Sequence, residues 1–296
     1  MRPSVWLVLS ALGGVAPPAP AARPALAQQV LTARDVVERI KQNIGVPWGG
    51  ADETVDTFKD GDPATPVTGI AVTMMATFDV VKRAAAAGAN LVITHEPTFY
   101  DHFDRLDVLE NEHDALTAAK RAFIREHRMV VVRMHDHWHR RRPEPMSTSL
   151  ARVLGWQPYQ LAQSEFLYNI PETSLADLAA TIRRRLPAPT LRVVGDPNIR
   201  VTKIGLSPGA AGFGPQRQRL QSDDVEVLVI GEAHEWETVE YVADAITAGQ
   251  KKALIVLGHI PSEQDGMLEF TRWLGTFVKE VPVTFVPAAD PFWSPK

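Results

Sequence analysis

The chain has no cysteine among its 296 residues, so it forms no disulfides and offers no thiolate to a metal. Any transition metal must be held by histidine and carboxylate. Basic residues are not in excess either. Lys and Arg number 31 against 35 Asp and Glu, a net charge of −4, which gives no electrostatic reason to bind nucleic acid or anionic lipid. No Gly-Lys-Ser/Thr signature occurs, which removes the usual phosphate-cradling loop. Apolar runs of membrane-spanning length are also missing: residues 4–15 form a run of about a dozen, against roughly 20 for a span, and the later runs are strand-length.

What is present begins with that first run. It follows Arg2 and leads into a Pro/Ala-rich stretch ending Ala25-Leu26-Ala27, the layout of a cleaved secretory signal. The sequence therefore predicts cleavage after Ala27 and an exported protein, periplasmic or secreted. Removing Arg2 and Arg23 leaves 29 basic residues against 35 acidic. The ~270 residues that remain suffice for one large domain or two interleaved ones.

Apolar runs then alternate with helix-period segments. Strands are expected at 67–73, 90–94, 129–134, 166–170, 201–206, 225–230, 253–257 and 283–286, and helices at 78–87, 108–127, 175–186, 236–248 and 262–278. The alternation predicts an α/β fold with mostly parallel sheets. One echo sharpens it: Ala87-Gly88, an apolar strand, His95 and Pro97 recur as Ala248-Gly249, a second apolar strand, His259 and Pro261. Two internally similar halves are the simplest reading. The expected division is a signal at 1–27, a first half at 28–162, an inserted middle domain at 163–221, and a second segment at 222–296 completing the α/β domain.

Ligands in such sheets bind beyond the carboxyl ends of strands, where both echoed histidines fall. His95 and Glu96 are adjacent, and Pro97 permits a bend that lets both side chains reach one pocket. His259 and Glu263 are four apart at a helix start, on one face. Each pair alone also fits a solvated turn or a helix start. A third cluster, His135-Asp136-His137-Trp138-His139, follows the strand at 129–134. Were that strand to continue, the three histidines would share a face.

The runs Thr68-Gly69-Ile70-Ala71-Val72, Leu91-Val92-Ile93-Thr94-His95-Glu96-Pro97, Ile230-Gly231-Glu232 and Gly258-His259-Ile260-Pro261-Ser262-Glu263 resemble the Nif-three-like family, often labelled type 2 GTP cyclohydrolase I. The resemblance covers roughly residues 35–286. It implies two interleaved α/β halves, a toroidal homo-hexamer, and a dinuclear metal site facing an internal cavity. That family has two adjacent histidines before the proline, where this chain has His95 and Glu96. It has a histidine and, four residues later, an aspartate after the third strand, where this chain has His135 and His139. The closing pair matches as His259 and Glu263. One histidine has become a carboxylate and one carboxylate a histidine, so the inventory of three histidines and two carboxylates is unchanged. The resemblance thus implies metal ligation by His95, Glu96, His139, His259 and Glu263, with His137 or Asp136 as alternatives to His139. Two divalent transition-metal ions, zinc, iron or manganese, are expected.

Such a site suits metal-assisted hydrolysis of a small molecule, with His135 and Glu263 as candidate proton carriers. The alternatives are a non-catalytic metal-binding scaffold and a GTP cyclohydrolase-like enzyme, the last disfavoured by export. Gly205-Leu206-Ser207-Pro208-Gly209 fits a serine-hydrolase elbow, but Pro208 lacks the N–H that half of the oxyanion hole needs. Gly209, Gly212 and Gly214 form only a loose glycine-rich loop. His234 and Glu235 are placed where they could line the same cavity.

Overall fold

Short runs of aliphatic and β-branched residues, ended by Gly, Asn, Asp or Pro, build the strands of a computed structural model that describes residues 1, 4, 30–50 and 53–295. Almost all of the expected signal segment lies outside these residues. The strands are β1 (Phe58–Asp60), β2 (Ile70–Met75), β3 (Leu91–Glu96), β4 (Val130–Arg133), β5 (Leu167–Ser174), β6 (Arg192–Val194), β7 (Arg200–Ser207), β8 (Val227–Ile230), β9 (Ala253–Val256) and β10 (Val283–Phe285). The helices are α1 (Ala33–Asn43), α2 (Phe78–Ala86), α3 (Asp107–Asn111), α4 (Ala115–Glu126), α5 (Asp136–Arg140), α6 (Pro145–Leu154), α7 (Leu175–Arg185), α8 (Phe213–Leu220), α9 (Glu240–Thr247) and α10 (His259–Leu274). Among the described residues, no helix is long and apolar enough to cross a membrane.

The strands form two sheets, ordered β1-β4-β3-β2-β10 and β5-β7-β8-β9-β6. In the first, β4, β3, β2 and β10 are parallel and β1 is an antiparallel edge. In the second, β7, β8 and β9 are parallel between two antiparallel edges. The parallel strands β3, β4, β8 and β9 are buried along their whole length, as helices on both faces require. The expected α/β architecture with mostly parallel sheets is the one observed. After β9 the chain crosses back: α10 packs on α6 and β2, and β10 pairs with β2.

Inside residues 163–221, β7 hydrogen-bonds in parallel to β8, outside that stretch. Several element bounds are corrected. The single helix expected at 108–127 is two. His113 takes a positive φ of 53°, and Asp114 caps a fresh start by accepting from Thr117 N at 2.6 Å. The strand at 129–134 stops at Arg133 and the histidine cluster turns into α5. α10 starts at His259 rather than Ser262. The edges β1 and β6 and the helices α1, α6 and α8 were not anticipated.

Candidate metal site

The carboxyl ends of β3 and β4 and the start of α10 converge on one cluster of histidines and carboxylates. β3 runs through both His95 and Glu96, and both side chains are buried at its end. Arg133, wholly buried at the end of β4, fixes them: its Nε donates to His95 O at 2.8 Å and its Nη2 to Glu96 Oε2 at 3.3 Å.

α5 decides the histidine cluster. His135 and His139 are one helical turn apart, with His139 N donating to His135 O at 3.0 Å, so both face the site. His137 does not. Its Nδ1 donates to Asp56 Oδ2 at 2.6 Å, its Nε2 accepts from Gly49 N at 3.1 Å, and its ring stacks on Trp48. Asp136 Oδ2 accepts from Thr54 Oγ1 and Val55 N. Of the open alternatives, His139 is therefore the one the fold directs to the site. The carboxylate of Asp56 also accepts from the backbone N–H groups of His135, Asp136 and His137 at 2.5, 3.1 and 2.9 Å, satisfying the donors left over at the start of the turn.

His95 Nδ1 donates to Met134 O at 3.1 Å, and His139 Nδ1 donates to Glu144 Oε1 at 3.0 Å. With each Nδ1 committed, the two Nε2 atoms face one another at 3.1 Å. Two lone pairs repel at that distance unless a proton or a cation lies between them. The separation suits one ion bonded to both nitrogens at roughly 2.0–2.1 Å. Around them, Glu263 Oε2 lies 3.8 Å from His95 Nε2 and 3.1 Å from His259 Nε2, and Glu263 Oε1 lies 3.8 Å from His139 Nε2. Glu96 Oε1 stands 3.2 Å from His259 Nε2. Two groups, His95 with His135 and His139, and His95 with Glu96 and Glu263, present donor atoms close enough together to hold a metal ion.

The charge states show where positive charge is drawn. Burial keeps His95 well below the ordinary histidine value, reinforced by His135 and His139. Burial alone would raise Glu96, but His259, His135 and Arg133 outweigh it and bring the carboxyl down to about 2. For His259 burial acts downward and is overcome by Glu232, Glu263 and Glu96, which hold the ring well above its usual range. His139 is raised likewise, burial being outweighed by Glu144 and Glu263. The carboxylates of the site demand positive charge between them.

Glycines make the approach of Glu263 possible. A β-carbon on Gly209, whose φ is +66°, would lie 2.5 Å from Glu263 Oε1, and one on Gly231 would lie 2.6 Å from Ser262 Oγ. That is the role of Gly209 in the apparent hydrolase elbow. Ser207 is buried and its Oγ accepts from Arg219 Nη1 at 2.6 Å.

The sequence pattern of the family described as Duf34/NIF3 (NGG1p interacting factor 3) matches residues 55–291. This chain belongs to the DUF34/NIF3 family. Solved structures share the fold. Staphylococcus aureus protein SA1388 is 17% identical with a TM-score of 0.67, covering 89% of this chain and 99% of its own. The structural-genomics protein ybgI, described as of unknown function, is 16% identical at 0.68, covering 88% and 100%. Reduced HcgD from Methanocaldococcus jannaschii is 12% identical at 0.62, covering 86% and 98%. At these identities the likeness concerns the DUF34/NIF3 fold alone. No curated protein matches this chain.

Asp56, Arg133, Glu144 and Glu232 escaped the sequence reading as site residues. Glu144 carried a local signal, an acid directly before Pro145 at a helix start, and Glu232 stood in the Ile230-Gly231-Glu232 run. His234 and Glu235 do line the cavity that adjoins His259.

Proposed function

We propose that this DUF34/NIF3 protein is a dinuclear metal-dependent hydrolase of a small molecule. The observation that carries the reading is the 3.1 Å approach of His95 Nε2 to His139 Nε2, with both Nδ1 atoms committed elsewhere and the carboxylates of Glu96 and Glu263 beside them. His95, Glu96, His139, His259 and Glu263 would hold the ions. Ions so held supply Lewis-acid activation of water and polarisation of a substrate oxygen.

The chain's own residues supply the rest. Met134 O and Glu144 fix the two rings, as acceptors behind metal-binding histidines do. His135 is suited to move a proton: Asp136 Oδ1 accepts from its Nδ1 at 2.8 Å, its Nε2 faces the site 3.7 Å from Glu96, and its side chain keeps 22% of its exposure. Burial would raise Asp136, but hydrogen bonds from His135, Val55 and Thr54 hold it below the usual carboxylate range, so it serves as an ionised anchor. Glu263 is closed in among His95, His139 and His259, which supports the ligand role over the proton-carrying one.

The same reading includes a homo-hexamer, supported by family membership, and export, supported by the N-terminal sequence. Purified protein should carry about two transition-metal ions per chain by mass spectrometry and hydrolyse at least one member of a phosphoester, amide and cyclic-amide panel. The double variant His259→Ala with Glu263→Ala should lose metal and turnover together. Metal bound in the wild type with no turnover on any substrate overturns the hydrolase. N-terminal sequencing of exported material should begin near Gln28, and sedimentation should give six chains.

A further inference from the structure

A cavity of about 780 Å³ opens beside His259, within the usual ~300–1,000 Å³ of small-molecule pockets. One side is apolar, formed by Met75, Val256 and Ile260, and Pro291, Phe292 and Trp293 line it from the chain's last segment. Phe292 and Trp293 keep 67% and 77% of their exposure, two large rings left uncovered at a cavity wall.

The polar groups of the lining pair off with one exception. Four carboxylates, Glu232, Glu235, Glu237 and Asp290, share the lining with Arg192, His234 and His259, and Glu232 Oε2 stands 3.6 Å from His259 Nδ1. Arg192 is paired with Glu235 at 2.5 Å, and His234 stands 3.5 Å from Glu237. Among the described residues, Asp290 has no cationic partner. Its Oδ1 accepts from Phe292 N at 3.1 Å, while its Oδ2 is shielded from solvent and has no hydrogen-bond partner among the described residues. That oxygen lies 3.8 Å from where a β-carbon of Gly258 would stand, beside the residue that precedes His259. A buried acceptor without a donor is costly, and turning the carboxylate toward a ligand N–H in the cavity removes the cost. Aromatic faces with carboxylates behind them are the surroundings that recognise an organic cation. A phosphate beside Phe292 and Trp293 would instead meet the like charge of Asp290.

We infer that this cavity binds a small organic cation, an amine or amidine on a flat apolar body, with its N–H groups on Asp290 and its body against Phe292 and Trp293. As the identity of the substrate class, the inference rests on the hydrolytic reading. As a cation site it stands without it.

The test is calorimetric titration of the full chain, as purified and after chelation, with tryptamine and indole-3-propionate, which share a ring and chain length and differ in the sign of the terminal charge. Tryptamine should bind about ten-fold the tighter in both preparations. Asp290→Asn should remove most of that preference, and Trp293→Ala, at an exposed position, should weaken tryptamine while leaving the fold intact. Equal binding, tighter binding of the propionate to chelated protein, no binding of either ligand, or an unchanged preference in Asp290→Asn overturns the inference. Metal content measured on the same samples reports separately on the hydrolytic reading, since loss of metal leaves the amine preference in place.

Discussion

One carboxylate, that of Glu144, holds both the ring of His139 and the first turn of α6: Oε1 accepts from His139 Nδ1 and Met146 N at 3.0 Å each, and Oε2 from Ser147 N at 2.7 Å. The ring's orientation is thereby tied to the helix start. Glu144→Gln keeps an oxygen for the cap but weakens the bond that fixes the imidazole and raises its basicity. Metal affinity should fall about 10–100-fold, with helix content by circular dichroism nearly unchanged. Unaltered affinity in a competition titration would show that the carboxylate serves the cap alone.

Gly209→Ala forces an L side chain into the left-handed region and drives its β-carbon into Glu263. The backbone strain should cost about 1–3 kcal/mol in urea denaturation. Because the obstructing atom is a candidate ligand, metal content should drop as well. A variant that is less stable yet binds metal normally contradicts the placement of Glu263.

Added zinc or manganese should stabilise the protein, by about 2.7 kcal/mol at a hundred times its dissociation constant, read as several degrees in Tm. The pH dependence has a definite sign. His139 and His259 are held above the usual histidine range and must lose protons to ligate, so metal-linked stabilisation grows as pH rises through that range and shrinks on acidification. A metal-induced Tm shift that is flat with pH contradicts ligation by these rings.

Lys120 offers a stability test away from the site. It is buried under the loop after β3, with Nζ donating to Thr98 O at 2.7 Å, and burial lowers its pKa from 10.5 to about 8, opposed in part by Asp104. Between those values the unfolded chain binds the proton that the folded chain has released, so stability rises with pH across that window, by roughly 3 kcal/mol in total. Lys120→Met should remove that rise. Parallel slopes for the two proteins in denaturant titrations would refute it.

Much of this fold was legible because buried parallel strands advertise themselves as runs such as Leu91–Thr94 and Ala253–Leu257. The edges β1 and β6 were not, since Phe-Lys-Asp and Arg-Val-Val present one or two apolar residues each and gain their pairing from neighbours. α6 was obscured by burial on several sides, its Ser147 and Ser149 being as enclosed as Leu150. At the site, the echo of His95 in His259 located two elements correctly. Whether His137 shares a face with His135 and His139 turned on strand against helix, and that was settled by Asp56, about eighty residues upstream, which no local pattern reveals.

The return of β10 to β2 has a consequence for synthesis. Thr284 and Ile70, hydrogen-bonded neighbours, are 214 positions apart. Ile70 leaves the ribosome long before its partner exists, and until then β2 is the open parallel edge of the first sheet. Contacts of such sequence separation form slowly and leave exposed strand in the meantime. During that interval the nascent chain depends on something other than its own C-terminal strand to keep that edge from pairing elsewhere.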